Sequence, residues 1–370
     1  MQDRGIRLQY TFGRTAQRGA DVANPLFELL TAVHEHGSIQ QAARAMGASY
    51  RHVWGQLRHW EQVLGQPLVA WAQGQPARLT PFAQRLRWAE ASARTRLTPH
   101  IEALRVELER VLDEALDGTQ QVLTVFASHD LALPHLRDLA QATQRLHLDL
   151  RFTGSLDALR ALAEGRCAVA GFHVPPLADA RHLFARQLKP LLKPGRHKVM
   201  SALRRTQGLV VAPGNPLALA SLADVAERRA RFVQRQPGSG TRLLTEHLLQ
   251  QGQVDAVAWT APDSLVEDSH VAVAAAVAAG RADAGLAVAA AAAPFGLDFV
   301  PLVEEDYFLV CLHDVLDTPA VQALRATLAS PAWQAAVSDL AGYAPRDDSG
   351  QVLSLTRALP WWRFRAPRGG

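Results

Sequence analysis

The chain has 370 residues, 48% hydrophobic and 20% charged, which suits two or three packed domains rather than a disordered or fibrous chain. Its net charge of +4 is uneven: residues 1–96 carry twelve Arg, no Lys and six acidic residues, a net of +6, so the remainder nets −2 and a polyanionic partner is expected at the front. No run approaches eighteen apolar residues, the opening MQDRGIRLQYTFGR lacks a signal-peptide core, and two cysteines, Cys167 and Cys311, cannot build a disulfide framework. A cytoplasmic protein that does not enter a membrane is expected, with both thiols free and buried in apolar strands.

In chain order, PLFELLTAVHEHG sets Leu26, Phe27, Leu30 and Val33 on one helical face and ends at Gly37. SIQQAARAMG reads as a short helix capped by Ser38, with Ile39, Ala42, Ala43 and Met46 inward. A third helix from Ser49 puts Tyr50, Val53, Trp54, Leu57, Trp60 and Leu64 on an inner face and Arg51, His52, Gly55, Arg58 and His59 on an outer one. Two helices joined by a tight Gly turn, the second basic outside, form a helix-turn-helix pattern. PLVAWAQGQPARLT then reads as two short strands around a turn, the wing, and Pro81 opens a long helix running through Leu86, Ile101, Leu104, Leu108 and Leu112.

These stretches resemble a known group: GSIQQAARAMGASYRHVWGQLRHWEQVLGQPLV followed by ARLTPFAQRL is similar to the head of ModE-type molybdate-responsive regulators and, more distantly, of LysR-type regulators. The resemblance covers about residues 20–115 and implies a homodimer bound to a double-stranded DNA operator. It implies DNA contacts at Ser49, Tyr50, Arg51 and Arg58, with Gln73, Gln75 and Arg78 around the wing; Trp54 and Trp60 are expected in the core, and Arg58 alone would add only phosphate affinity. The head is placed at 20–82 and the linker or dimerisation helix at 83–118.

After a Gly-containing break in DEALDGTQQ, strands alternate with helices from Val122 onward, which argues an α/β domain with a mainly parallel sheet, placed at 121–345. Three loops carry anion-binding chemistry: Ser128-His129-Asp130, Gly154-Ser155 and Pro237-Gly238-Ser239-Gly240-Thr241. Arg235 and Arg242 add charge beside the last. The bland alternative is a helix cap, for which Ser239 or Thr241 would serve. The loop lacks the Gly-Lys-Ser/Thr ending of a nucleotide-binding P-loop and the GxGxxG fingerprint.

GFHV (171–174), QGLVVAPGNP (207–216), RQPGSGTR (235–242), HVAVAAAVAAGRADAGLAV (270–288) and GLDFVPLVEEDYFLV (296–310) together resemble the periplasmic-binding-protein-like domain. That resemblance implies two α/β lobes joined by crossing strands, 121–175 with 302–345 and 205–298, around a ligand cleft. It brings His129, His173, His270 and Tyr307 toward the cleft with Ser128, Ser155, Arg235, Ser239, Gly240, Thr241 and Arg242, and leaves Asp283 as a structural carboxylate. The histidines lack compact metal-ligand spacing, so no metal site is expected. The expected function is a ligand-responsive transcription regulator that needs no cofactor and senses a small anion: molybdate, tungstate or a molybdenum-cofactor-related ligand. Two other classes remain: a hydrolase-like enzyme, weakened because no Gly-x-Ser-x-Gly elbow is present, and an architectural DNA-binding dimer whose second domain has lost its ligand. The tail at 346–370, with Trp361, Trp362 and Phe364, either docks on the fold or stays free.

Overall fold

The computed structural model describes residues 24–70, 77–116, 121–176, 182–252, 254 and 265–362. The front is built from strong local signals. Asn24 caps α1 (Pro25–His36), Ser38 caps α2 (Ile39–Ala45) and Ser49 caps α3 (Tyr50–Leu64), each side chain accepting a backbone N–H of its first turn. Gly37 and Gly65 take left-handed conformations that stop α1 and α3. Leu30, Val33, Ala42, Val53, Leu57 and Leu79 close a small core beneath a wing, β1 (Val69–Ala70) paired antiparallel with β2 (Arg78–Leu79).

Three inward assignments are corrected. Met46 lies beyond the end of α2 and is exposed; Tyr50 and Trp54 are 51% and 40% exposed. On α3 the buried residues are Val53 and Leu57; Tyr50 and Trp54 are a helical turn apart on a neighbouring stripe, where the Arg58 guanidinium lies 5.1 Å over the Trp54 ring.

From Pro81 a continuous helix, α4 (Pro81–Leu116), runs for 36 residues to the second domain. There β3 (Gln121–Ser128), α5 (Leu133–Gln144), β4 (Leu146–Thr153), α6 (Ser155–Ala163) and β5 (Val169–Val174) form one lobe. After α7 (Leu183–Leu188), the 15-residue strand β6 (His197–Val211) crosses to the other lobe. That lobe holds α8 (Leu222–Glu227), β7 (Phe232–Arg235), α9 (Gly240–Gln251), β8 (Val266–Glu267), α10 (His270–Ala278), β9 (Ala284–Val288) and α11 (Ala289–Ala292). Strand β10 (Asp298–Leu312) crosses back to α12 (Pro319–Leu328) and α13 (Pro331–Ser338).

The strands form one sheet in the order β4-β3-β5-β10-β6-β9-β7-β8. Pairing is parallel inside each lobe and antiparallel wherever β6 or β10 takes part, so the expectation of a mainly parallel sheet is corrected to a mixed one. Strand alternation feeds two cores: Tyr307, Leu309 and Cys311 pack on one face with α5, α10 and α12, while Phe308 and Val310 pack on the other with α6, α7 and α9. Both cysteines are free, and burial pushes the Cys311 thiol up to about 11.

Of the two alternatives for the chain beyond 345, docking on the fold is the one observed. β11 (Tyr343–Pro345) and β12 (Val352–Leu353) pair with β6, and α14 (Leu355–Ala358) delivers Trp361 into the second core, where it is fully buried. Residues 346–362 are therefore part of the domain, and 363–370 fall outside the described residues. Trp361→Ala should lower unfolding stability by about 3–5 kcal/mol, measured by urea denaturation; an unchanged midpoint would contradict the packing.

Candidate ligand cleft and DNA-reading face

Sequence places three loops at strand ends, and the fold brings two of them into contact across the lobes. A side chain on Gly154, before α6, would stand 2.3 Å from the Gly238 carbonyl oxygen, so only bare backbone allows this approach. Gly238 has φ +83°, which its loop needs to turn into α9. A Cβ on Gly240 would lie 2.2 Å from His173 Nε2, on the opposite lobe. The N-termini of α6 and α9 thus meet across the cleft, and α10 begins at His270 beside them. These helix starts supply unpaired N–H groups and positive dipole ends.

At the floor lies a network that sequence reading missed. Arg205 of β6 is fully buried, with Nη1 2.5 Å from Asp130 Oδ2 and Nη2 3.2 Å from Glu305 Oε2. Gln207 Nε2 donates to Glu305 Oε2 at 2.7 Å and to Thr241 Oγ1 at 3.0 Å. Asp130 also accepts from the Ala132 amide at 2.8 Å and from the Tyr343 hydroxyl at 3.2 Å. Burial pushes the Glu305 carboxyl up against the pull of Arg205 and Gln207. The readable signal was a polar pair, Arg205 and Gln207, spaced two apart within the apolar run HKVMSALRRTQGLVV and thus on one strand face.

Arg235, at the end of β7, is 5% exposed. Its Nη2 donates to the Asp268 carbonyl at 2.7 Å, but its Nε and Nη1 have no protein partner. Burial, and next to it the Arg205 charge, pulls Arg235 down to about 10, which leaves it a cation at neutral pH. More than half of the side-chain atoms buried without a partner among the described residues belong to this region: besides Arg235 they include His129 Nδ1, Ser155 Oγ, His173 Nε2, Gln207 Oε1, Asp268 Oδ1, His270 Nδ1 and Glu305 Oε1. Buried polar atoms are ordinarily paired, so this concentration along one cleft marks a place for a polar ligand.

Burial together with the Arg205 and Arg235 charges pulls His129 down to about 3 and His173 and His270 well below 6.5, so all three are neutral at pH 7. His129 packs on Phe152 with ring centroids 4.8 Å apart, and His173 Nδ1 lies 3.1 Å from Ser128 Oγ. Among the described residues no cluster of His, Cys, Asp or Glu could hold a metal.

Four expected contacts are placed otherwise. Ser239 is spent as the α9 N-cap, accepting from the Arg242 amide at 3.1 Å and donating to the Gln236 carbonyl. Arg242 turns along the helix to Glu246, 2.8 Å away. Thr241 accepts from Gln207. Tyr307 lies over Gly171 with its hydroxyl on the Ser128 carbonyl, a floor residue. Asp283 pairs with Arg231 at 2.6 Å at the start of β9.

On the front domain, Ser49 is the α3 cap, its Oγ 3.2 Å from the His52 amide, while Tyr50, Arg51 and Arg78 are exposed. Arg58 pairs with Glu61 at 3.2 Å. Gln73 and Gln75 lie outside the described residues. No helix among the described residues is long and apolar enough to cross a membrane.

A winged helix-turn-helix carried on a linker helix by a two-lobed α/β module is the build of a ligand-responsive, DNA-binding transcription regulator. Residues 136–329 match the model of the PBP superfamily domain, and residues 26–84 that of the bacterial regulatory helix-turn-helix protein, lysR family. The chain belongs to the PBP superfamily, with a LysR-family helix-turn-helix at its front, and is a regulator rather than an enzyme. The uncharacterized protein YvgK of Bacillus subtilis (strain 168) is 29% identical over 232 residues, 62% of this chain and 71% of its own. An H2O2-bound mutant of OxyR from Corynebacterium glutamicum aligns over 85% of this chain and 93% of its own at 16% identity, with a TM-score of 0.44. Full-length LysG, also from Corynebacterium glutamicum, aligns over 85% and 98% at 18% identity, with a TM-score of 0.38.

The neutral histidines set a pH dependence. Below about pH 6.5 the unfolded chain takes up protons that His129, His173 and His270 refuse in the folded state. Their contribution is intact above that pH and declines as pH falls through it. The melting temperature of the ligand-free protein should drop between pH 7 and pH 5, and His129→Gln should flatten the drop; an unchanged slope would contradict the burial of this ring.

Proposed function

We propose that this regulator senses a small anion held by Arg235 in the cleft, and that ligand-driven lobe closure alters how α4 presents paired heads of a homodimer to operator DNA. The observation that carries the reading is the buried, cationic Arg235 with Nε and Nη1 unpartnered, its Nη2 held by the Asp268 carbonyl just before α10, in the cleft where the starts of α6 and α9 meet. The ModE-type resemblance of the head alone puts molybdate or tungstate first, while the unpartnered acceptors of the cleft favour an anion that carries its own donors. A molybdenum-cofactor-related anion is the second reading, favoured by the unpartnered acceptors Gln207 Oε1 and Glu305 Oε1, which a ligand with N–H or O–H groups would satisfy.

A route from cleft to DNA head is short. Glu267 of β8 is the register partner of Arg235, and its buried carboxylate takes two hydrogen bonds from Arg96 of α4, at 2.5 and 3.0 Å. Trp88 of α4 stacks on Phe295, centroids 6.3 Å apart, and α4 also packs across α10. A ligand that moves β7 and α10 would move α4 with them. The coupling cannot exceed the difference in ligand affinity between the two arrangements.

Three outcomes test this. Molybdate or tungstate at about a hundred times its Kd should stabilise the protein by about 2.7 kcal/mol, raising its melting temperature, and Arg235→Gln should abolish the rise. A rise that survives Arg235→Gln would refute the site. Arg51→Ala should weaken operator binding by about 1–3 kcal/mol in gel-shift titrations without changing ligand affinity. Arg96→Ala should leave the ligand-induced melting shift in place while reducing the effect of ligand on operator affinity; equal coupling in this variant would rule out the Arg96–Glu267 contact as the route.

A further inference from the structure

The cleft presents acceptors as well as donors, and that narrows the class of anion it can hold. Glu305 Oε2 already receives Arg205 Nε at 3.3 Å, Arg205 Nη2 at 3.2 Å and Gln207 Nε2 at 2.7 Å, while Glu305 Oε1 receives nothing. His173 Nε2 stands 3.8 Å from Oε1, beyond hydrogen-bond reach. The amide of Gln207 is oriented by this arrangement: its NH2 must face the Glu305 oxygen that already receives Arg205, so its Oε1 faces away, also unpartnered. Both side chains are fully buried. Gln207 Nε2 also reaches Thr241, and His173 Nε2 abuts Gly240, so the acceptors belong to the same closure surface as the start of α9.

Charge points the same way. Asp130, Glu305 and Asp268 face Arg205 and Arg235, three carboxylates against two guanidinium groups, and the three histidines are neutral, so a bare dianion would enter a cleft with no surplus positive charge. Sulfate, molybdate and tungstate carry only lone pairs at neutral pH. Set against Glu305 Oε1 and Gln207 Oε1 they leave both acceptors unsatisfied and repelled. An anion with its own O–H or N–H groups satisfies them. Sites with buried hydrogen-bonding groups discriminate strongly against ligands that lack the complementary atom.

We propose that Glu305 and Gln207 are specificity-determining residues that favour anions bearing hydrogen-bond donors, such as hydrogen phosphate or an acid joined to hydroxyl, amino or ring N–H groups, and bind fully deprotonated oxyanions more weakly. This rests on the reading that Arg235 holds an anion in the cleft. It favours the cofactor-related ligand over free molybdate, because a heterocyclic phosphate brings donors that molybdate lacks.

The test is isothermal titration of the full-length protein at pH 7.5 with phosphate, which carries one O–H there, and with sulfate and molybdate, which carry none. Phosphate should bind tighter than either by on the order of 100-fold. In Glu305→Gln the Oε1 of the new amide can keep the Arg205 and Gln207 bonds while its NH2 takes the place of the orphan acceptor. That variant should narrow the preference by roughly tenfold or more. If it does not fold, Gln207→Met serves in its place, and the wild-type order decides by itself. Sulfate or molybdate binding as tightly as phosphate, with all three lost in Arg235→Gln, would overturn the selectivity and leave the anion site standing. Binding of none of the three, or binding unaffected by Arg235→Gln, would overturn the anion reading beneath it.

Discussion

A single buried guanidinium organises the second domain. Arg205 leaves the middle of the crossing strand β6 and engages Asp130 from the loop after β3 and Glu305 from β10, so it ties the first lobe to both crossing strands at the point where the lobes meet. Removing one partner of such a pair leaves an uncompensated buried charge, at a cost of about 3–5 kcal/mol. Its local effect matters more for function: by engaging both carboxylates itself it leaves Arg235 as the buried cation with open donors. Its field also helps keep His129, His173 and His270 neutral.

The glycines complete this arrangement sterically. Bare backbone at Gly154 and Gly240 lets the two lobes approach until the starts of α6 and α9 touch and His173 covers the α9 N-terminus. Polar atoms that water would otherwise satisfy are then sealed away from it, and a ligand becomes the remaining way to pair them. Because Asp268, whose carbonyl holds Arg235, directly follows Glu267 of β8, whose carboxylate grips Arg96, the same closure reaches α4 without a long chain of intermediates.

The head was legible because its signals are local. Caps at Ser38 and Ser49, stops at Gly37 and Gly65, and Pro81 at a helix start all act within one turn of the residue concerned. Trp54 was misplaced because a helical wheel ranks it as apolar while its stripe, shared with Tyr50 and Arg58, lies beside the core face rather than on it. The cleft loops were legible as Gly-rich strand-to-helix turns, but their detailed roles were not: whether Ser239 caps or contacts a ligand depends on where the Gln236 carbonyl falls. The Arg205–Glu305 pair joins residues a hundred positions apart through the antiparallel register of β6 and β10, which no local window contains. The docked segment ending at Trp361 was obscured for the same reason, since β11 and β12 are short and exist only against β6.

The central claim is that an anion on Arg235 closes the cleft and is felt by α4. Amide hydrogen exchange on the full-length protein, with and without saturating phosphate, tests it directly. The account predicts slower exchange at the first turns of α6, α9 and α10 and, through Glu267, in α4 around Arg96, all of it lost in Arg235→Gln. Protection confined to other surfaces, or the same protection in Arg235→Gln, would contradict it.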